Sequence, residues 1–428
     1  MDGRRTAREI GRILVRVAGA LIVFEVLYIF AANLALRASL PLARGPVTVV
    51  ARDPWTFLPT LVQASAVEIR GPGWAATLER AHLRLDPASL LRGQILATEV
   101  RGEARHVRVG ELVWEGEGEL SAARLAAHGN RLEIVDFALL PRSGELRAGI
   151  LPSAREVRGA LRGDLVMEQG RALSGSALRA ELAAQDLQVP APCWRGRAAP
   201  WAVLEGRAAE IDLDIAPGPA GLWEGALRGD VVDAAWSCGT FSARGDLELD
   251  LRLSELRPGA RIARIATGEL RAAHLALTTA TGAWSDLGAE IELREACVDI
   301  GSTPELVADI DLRLSDVAPL AMSLEHRGAL PEGAAAVLVG GDLSATARVD
   351  VRRGALELEL PRAEGRGFAI RGALERGPAG TAGAFLLDQG FLSAGIAIQG
   401  GGAELTPFVG KPWLDDQLAG LDLGAERR

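Results

Sequence analysis

Residues that could perform acid–base, metal or nucleophilic chemistry are scattered through this chain of 428 residues. Histidine is the commonest metal ligand and general base near neutral pH, yet the histidines show no metal-ligand spacing. The chain also contains no H-E-x-x-H and no G-x-S-x-G motif. Carboxylates alternate with apolar residues, as on the solvent face of a strand. We therefore predict no enzyme activity, no catalytic residue, no metal site and no cofactor. The histidines are His82, His106, His128, His274 and His326.

The three cysteines, Cys193, Cys238 and Cys297, lie far apart and form no C-x-x-C motif. In an oxidising compartment they allow at most one intramolecular disulfide, with one thiol left over. Cys193 precedes Trp194 and Cys238 follows Trp236 by two residues, so these two cysteines are the preferred pair if a bridge forms. Buried free thiols are the alternative, because the sequence gives no distance between the sulfur atoms.

An apolar stretch near the N-terminus is long enough to cross a membrane. Residues 17–36 provide about the 20 apolar residues that a helix needs to span the hydrocarbon core. Because basic residues tend to stay on the cytoplasmic side, we predict a cytoplasmic segment 1–16, a transmembrane helix 17–36 and an extracytoplasmic remainder. A cleaved signal peptide is the alternative, although its apolar core is usually shorter. The basic residues before the stretch are Arg4, Arg5, Arg8, Arg12 and Arg16.

An acidic residue, Glu25, lies near the middle of this predicted span. A carboxyl group there costs roughly 2.5–3.5 kcal/mol on insertion scales. Ala18 and Ala32 lie seven residues away on the same helical stripe, and small residues allow a second helix to approach closely. Two interpretations stay open: Glu25 meets a polar group of another inner-membrane protein, or it is a tolerated, protonated carboxyl.

The overall composition limits the partners. The formal net charge of −9 and the sequence pI near 5.3 argue against nucleic acid as a partner. Aromatic residues make up only 4% of the chain, which is too few for base-stacking surfaces. The length suggests two or three domains, but a continuous β-architecture does not follow that expectation.

From residue 47 onward the dominant pattern is period-two alternation punctuated by glycine, which is typical of half-buried antiparallel strands. In residues 245–255, GDLELDLRLSE, the leucines share one face and polar residues take the other. Helical turns are predicted only at 87–91, 121–127 and 412–418. None of these helices could cover an extended sheet, so more sheet or something other than protein must cover its apolar face. The leucines are Leu247, Leu249, Leu251 and Leu253.

Four short segments repeat a Gly-Asp pair followed by an apolar residue. We predict that the glycine lies at a turn and the aspartate opens the next strand, so that the segments mark successive hairpins rather than an adhesion motif. The segments are 162–165, 228–231, 244–247 and 340–343.

Residues 54–110 resemble the N-terminal region of the AsmA-like proteins of Gram-negative envelopes. The shared order is a membrane span, the segment 59–61, strands at 67–70 and 81–85, a short helix at 87–91 and a strand at 93–101. The resemblance covers about residues 1–115 and rests on the strand pattern beyond them. It implies a periplasmic β-groove anchored in the inner membrane, related to bridge-like lipid-transfer proteins, with roles in phospholipid traffic and outer-membrane biogenesis. It brings no catalytic residues.

Together these patterns predict an all-β protein with an elongated, curved antiparallel sheet, groove-like or taco-like, after one transmembrane helix. The predicted regions are an AsmA-like β-region (47–115), a continuous β-groove (116–410) and a C-terminal amphipathic cap and tail (411–428). The leucines of 247–253 would line the groove and contact phospholipid acyl chains. A closed sandwich is the alternative fold. The alternative function is a structural or assembly component of a periplasmic complex, such as a subunit resembling the N component of type II secretion.

Overall fold

The fold is that of a computed structural model of the whole chain. It describes residues 42–419 apart from short gaps, together with Val23, residues 25–34 and Arg37. The gaps are 45–46, 59–60, 72–73, 87–88, 90–93, 110–111, 129–130, 149–150, 169–170, 173–175, 196–198, 219–221, 240, 258–261, 300–304, 327–334, 336–340, 353–354, 378–379 and 401.

The structure is 82% strand, which confirms the all-β, antiparallel prediction. The chain divides into two compact units: unit 1 is Met1–Gly144 with Ala160–Ser176, and unit 2 is Glu145–Gly159 with Ala177–Arg428. Besides the helical residues 25–34, two short helices are described, α1 (Ala318–His326) and α2 (Lys411–Ala419). The strands of the described residues are β1 (Leu42–Arg44), β2 (Val47–Arg52), β3 (Trp55–Leu58), β4 (Leu61–Gly71), β5 (Trp74–Leu85), β6 (Ile95–Val109), β7 (Leu112–His128), β8 (Arg131–Ala148), β9 (Leu151–Arg155), β10 (Arg158–Glu168), β11 (Arg171–Ala172), β12 (Ala177–Ala184), β13 (Asp186–Arg195), β14 (Ala199–Gly206), β15 (Ala208–Pro217), β16 (Trp223–Cys238), β17 (Phe241–Arg257), β18 (Ile262–Thr279), β19 (Gly282–Asp299), β20 (Glu305–Leu314), β21 (Leu343–Arg352), β22 (Ala355–Gly365), β23 (Phe368–Gly377), β24 (Gly380–Gln389), β25 (Leu392–Gln399) and β26 (Gly402–Pro407).

The apolar face of the sheet in unit 1 is buried at its centre. Strands β4 to β7 pair in chain order, each antiparallel to the next. Leu78 of β5 lies opposite Val67 of β4 and Ala104 of β6, and none of the three side chains is more than 1% exposed. Unit 1 therefore has an ordinary buried core, in which apolar faces meet other protein.

The side chain of Asn33 joins the N-terminal helical segment, residues 25–34, to the sheet of unit 1. Asn33 Nδ2 donates to the carbonyl oxygens of Ile29 and Thr56, each at 2.8 Å. Asn33 Oδ1 also accepts the backbone N–H of Thr56 at 2.8 Å. Thr56 belongs to β3 and is 5% exposed. The two-way bond to a buried backbone therefore fixes the end of the helical segment to β3.

Large apolar side chains cover the rest of this helical segment and face solvent. Leu27 is 62% exposed and Phe30 is 69% exposed. No helix among the described residues has both the length and the apolar character needed to cross a membrane. Residues 17–22, 24 and 35–36 of the predicted span lie outside the described residues.

In unit 2, strands β15 to β26 pair in chain order, and β12 lies beside β15 on the side away from β16. The two helices pack on opposite faces of this sheet. Ala321 of α1 belongs to a core with Leu387 of β24, whereas Leu414 of α2 packs with Leu386. Successive side chains of a strand point to opposite faces. One face of β24 is therefore covered by α1 and the other by α2.

Three of the four Gly-Asp segments lie inside strands β10, β16 and β17, so the prediction that each precedes a strand is wrong for them. In two of them the aspartate caps a β-bulge of the neighbouring strand. Asp246 Oδ1 accepts the N–H of Asp233 at 2.9 Å, and Asp164 Oδ1 accepts that of Asp136 at 2.7 Å. Asp233 and Asp136 have φ of 58° and 51°, the left-handed conformation that a bulge requires here.

One helix prediction is confirmed, one is wrong and one helix was missed. Segment 412–418 lies in α2, while 121–127 lies in β7, where Ala122 and Leu125 are buried against β6. Of segment 87–91 only Ser89 is described, and it is helical. The missed helix, α1, begins after Asp316, whose Oδ1 accepts the N–H of Ala318 at 2.9 Å.

Candidate functional site

Two neighbouring rows of apolar residues cross six strands on one face of unit 2. Residues directly opposite in an antiparallel ladder share a face, as do residues two apart along a strand. We call these rows the leucine rows. Row one is Leu213, Leu227, Leu251, Gly268, Leu293 and Ile310. Row two is Ile211, Gly229, Leu249, Leu270, Ile291 and Leu312.

Every leucine or isoleucine side chain of the leucine rows is half-buried. Along β17, Leu247, Leu249 and Leu251 are half-buried, whereas Leu253 is only 6% exposed. The residues that alternate with them, such as Asp250, are exposed. The predicted alternation of residues 245–255 is therefore confirmed. Apolar side chains in the middle of a long sheet that keep part of their surface in solvent offer a place where an apolar ligand could lie.

Packed clusters bound the leucine rows on both sides. At the β15 side, Ile211 packs with Leu182, Leu187 and neighbouring side chains of β9 and β13. At the β20 side, Leu312 packs with Ala321 of α1 and with Leu343. Row two therefore ends in packed clusters on both sides, and α1 also reaches β18 and β19.

The two glycines of the leucine rows shape the surface. A Cβ atom built on Gly268 would come within 2.5 Å of Leu251 Cδ2, so Leu251 leans over this glycine. A Cβ atom on Gly229 would have only the carbonyl oxygen of Glu210, at 3.2 Å, and Ile211 Cγ1, at 3.8 Å, within 4 Å. Gly229 therefore leaves a dent between Ile211 and Leu249.

The opposite face of the same strands is charged and crossed by ion pairs. Arg271 of β18 pairs with Glu248 of β17 at 3.7 Å and with Glu290 of β19 at 3.4 Å. Arg313 of β20 continues the series, 3.1 Å from Glu290. Exposed pairs of this kind each contribute little to stability, but they keep this face hydrated. The sheet is therefore apolar on one side and ionic on the other.

The pKa values on this charged face shift toward the ionised forms. The negative charge of Glu269, above all, raises the pKa of Arg271. A hydrogen bond with Glu269 and further ones from Arg271 and Arg313 lower the pKa of Glu290. Shifts of this kind arise from cross-strand ion pairs. The carboxylates of this face therefore stabilise the sheet and show no sign of a catalytic role.

The predicted membrane and disulfide residues fall largely outside the leucine rows. Glu25 is exposed and Ala32 is half-buried in the helical segment, while Ala18 lies outside the described residues. Their contact with a second span stays a prediction. Cys238 is disulfide-bonded and Cys297 is a free, half-buried thiol. The side chain of Cys193 lies outside the described residues, so the predicted pairing of Cys193 with Cys238 stays a prediction.

Histidines do not gather into a site in the described part of the chain. His106 Nδ1 lies 3.3 Å from Glu115 Oε1, and His274 Nδ1 lies 3.0 Å from Asp286 Oδ1, in separate strand pairs. Among the described residues no group of three His, Cys, Asp or Glu side chains could hold a metal ion.

Sequence reasoning did not predict that α1 lies on the same face as the leucines, nor that Gly229 and Gly268 shape the leucine rows. A signal for α1 was present in Asp316-Val317-Ala318-Pro319, an N-cap residue shortly before a proline in the first turn. No family model, curated protein or solved structure matches this chain.

Proposed function

We propose that this chain is a non-enzymatic protein of the cell envelope that holds phospholipid acyl chains on the leucine rows. In this proposal it is anchored in the inner membrane by residues 17–36, with its strands in the periplasm. It carries or chaperones phospholipid between the inner and outer membranes and so supports outer-membrane biogenesis. The resemblance of residues 54–110 to AsmA-like proteins supports the same assignment.

The observation that carries the proposal is the half-burial of the leucine rows beside a charged opposite face. Transferring an acyl chain of roughly 16 carbons into water costs on the order of 12 kcal/mol, at about 0.8 kcal/mol per methylene. A strip of leucine and isoleucine removes much of this cost. The ion pairs behind it keep the other face of the same strands in water. Such a surface suits the acyl chain of a lipid, whatever its headgroup, better than a small polar substrate.

Lipid extraction from the purified full-length protein tests the proposal. Mass spectrometry of the extract should identify phospholipid bound in defined stoichiometry, and the protein should speed phospholipid transfer between vesicles. The absence of both would refute the proposal and leave the assembly-component alternative.

A filling substitution separates lipid binding from general surface effects. Gly229→Phe places a ring in the dent between Ile211 and Leu249 and should lower bound phospholipid strongly. Asp230→Phe adds the same ring to the same strand on the opposite face, and its lipid content should match that of the unaltered protein. Equal loss in both variants would show that the lipid is not held on the leucine rows.

A further inference from the structure

Strand β26 is an open edge of the sheet in unit 2. It pairs with β25 along its whole length, and in the described part of the chain no other strand pairs with it. Helix α2 follows β26 along the chain and packs on β23, β24 and β25. An uncovered edge strand presents a row of backbone N–H and C=O groups to which another strand can bind.

The pairing with β25 decides which backbone groups of β26 face outward. The N–H of Phe408 donates to the carbonyl oxygen of Ser393 at 2.8 Å, at the end of the ladder. In an antiparallel ladder, hydrogen-bonded and non-hydrogen-bonded residues alternate. The backbone groups of Ala403, Leu405 and Pro407 therefore point away from β25. The proline fits this assignment, because a strand tolerates proline where the missing N–H would face solvent.

The outward groups of β26 match those of a second copy of the same strand. With Leu405 opposite Leu405 of the second copy, the two residues exchange two hydrogen bonds. The N–H of Ala403 also reaches the carbonyl oxygen of Pro407 in the second copy, and the two-fold symmetry repeats this bond. Two antiparallel copies of β26 therefore form four backbone hydrogen bonds in this register.

The side chains of β26 favour the same register. Glu404 then lies opposite Thr406 of the second copy, so its carboxylate can accept a hydrogen bond from that hydroxyl. Leu405, which is 46% exposed and lies beside Ile396, gains contact with its own copy. A register centred on Glu404 would instead place two carboxylates directly opposite each other, which is destabilising. A register centred on Thr406 would keep only two of the bonds, because Pro407 has no N–H to donate.

We propose that this protein forms a two-fold dimer in which β26 pairs with β26 of a second copy, centred on Leu405. The partner is a second copy because the charges and the outward hydrogen-bonding groups of β26 complement themselves. The inference does not depend on lipid binding, so either proposal can fail without the other. Only residues 403–407 of each copy take part, so the contact belongs to the small, reversible class of interfaces.

Analytical ultracentrifugation of the purified full-length protein over a concentration series tests the dimer. Ala403→Pro removes two of the four bonds and leaves every bond to β25, because the N–H of Ala403 faces outward. The loss of two hydrogen bonds of ordinary net strength should raise the dimer dissociation constant roughly 30-fold. Ala403→Val keeps the N–H and adds similar bulk, so this control should dimerise like the unaltered protein.

Three outcomes of these measurements would overturn the proposal. The first is a protein that stays monomeric over the whole concentration series. The second is a dimer whose dissociation constant Ala403→Pro leaves unchanged, because its interface would then lie elsewhere. The third is a monomer in which the N–H of Leu405 exchanges slowly with solvent, because another part of the same chain would then cover the edge.

Disulfide trapping tests the register without the use of a proline. In the proposed register the Cα atoms of position 404 and of position 406 in the second copy lie about 4.5 Å apart, within reach of a disulfide. Identical positions of the two copies lie roughly 7–8 Å apart. The double variant Glu404→Cys/Thr406→Cys should therefore form covalent dimers at least ten times faster than either single variant. The unaltered protein controls for the native thiols, and equal trapping by Glu404→Cys alone would overturn the register.

Discussion

Two leucines of β17 that lie two residues apart should respond to the same substitution in opposite ways. Leu251 is half-buried on the leucine rows, and Leu253 is 6% exposed in the packed part of the strand. Burying a leucine fully contributes about 1.5–3 kcal/mol. Leu251→Asp should therefore cost the fold about 1 kcal/mol, because only part of that burial is lost and the carboxylate keeps contact with water.

Leu253→Asp should cost the fold about 4 kcal/mol or more, because it combines the loss of a buried side chain with the burial of a charge. For lipid binding the order reverses. An aspartate at position 251 removes contact with about four methylenes, about 3 kcal/mol, which weakens acyl-chain retention roughly 100-fold.

The assay combines urea unfolding with the phospholipid content of each purified variant. Leu251→Asp should keep nearly the urea midpoint of the unaltered protein and contain little phospholipid, while Leu253→Asp should unfold at much lower urea. If Leu251→Asp is destabilised as much as Leu253→Asp, the leucine rows are an ordinary closed core. If Leu251→Asp keeps both the urea midpoint and the phospholipid content of the unaltered protein, the acyl chain is bound elsewhere.

Three further predictions concern the framework around the leucine rows. Leu414→Ala, at a side chain 4% exposed, should cost about 2–4 kcal/mol of α2 docking, seen as faster hydrogen exchange in α2; unchanged exchange would contradict the packing. Gly225→Ala should lower the urea midpoint sharply, because φ is 153° and the new Cβ would lie 1.9 Å from a carbonyl oxygen of β15. Gly377→Ala, with nothing within 4 Å, should leave the midpoint unchanged, and equal effects would refute the argument. A hydrogen bond from Arg244 lowers the pKa of Asp233 from 3.8. Asp233 therefore stabilises the fold above that pH and loses this effect as the pH falls through its folded pKa, so Asp233→Asn should flatten the acid limb of a melting-temperature profile; an unchanged limb would contradict it.

The alternation of apolar and polar residues was sufficient to predict an all-β chain and the face on which Leu249 and Leu251 lie. It could not predict what covers that face, because a period-two pattern fixes the direction of a side chain and not its neighbours. Helix α1 escaped prediction since it is only nine residues long and its position depends on contacts with Leu343 and Leu387, far along the chain. The prediction that the Gly-Asp segments lie at turns was wrong for three of them, because a glycine in a strand pattern indicates a bulge as readily as a turn.

The amide of Asn33 makes a rigid connection between the N-terminal helical segment and the sheet. A flexible connection would let the helical segment reorient relative to unit 1. The two-way bond to Thr56 couples the orientation of this segment to β3 and, because β3 pairs with β4, to β4 as well. The orientation of the helical segment relative to β3 therefore depends on the amide of Asn33. A substitution at position 33 would therefore loosen the helical segment from the sheet without touching the core around Leu78.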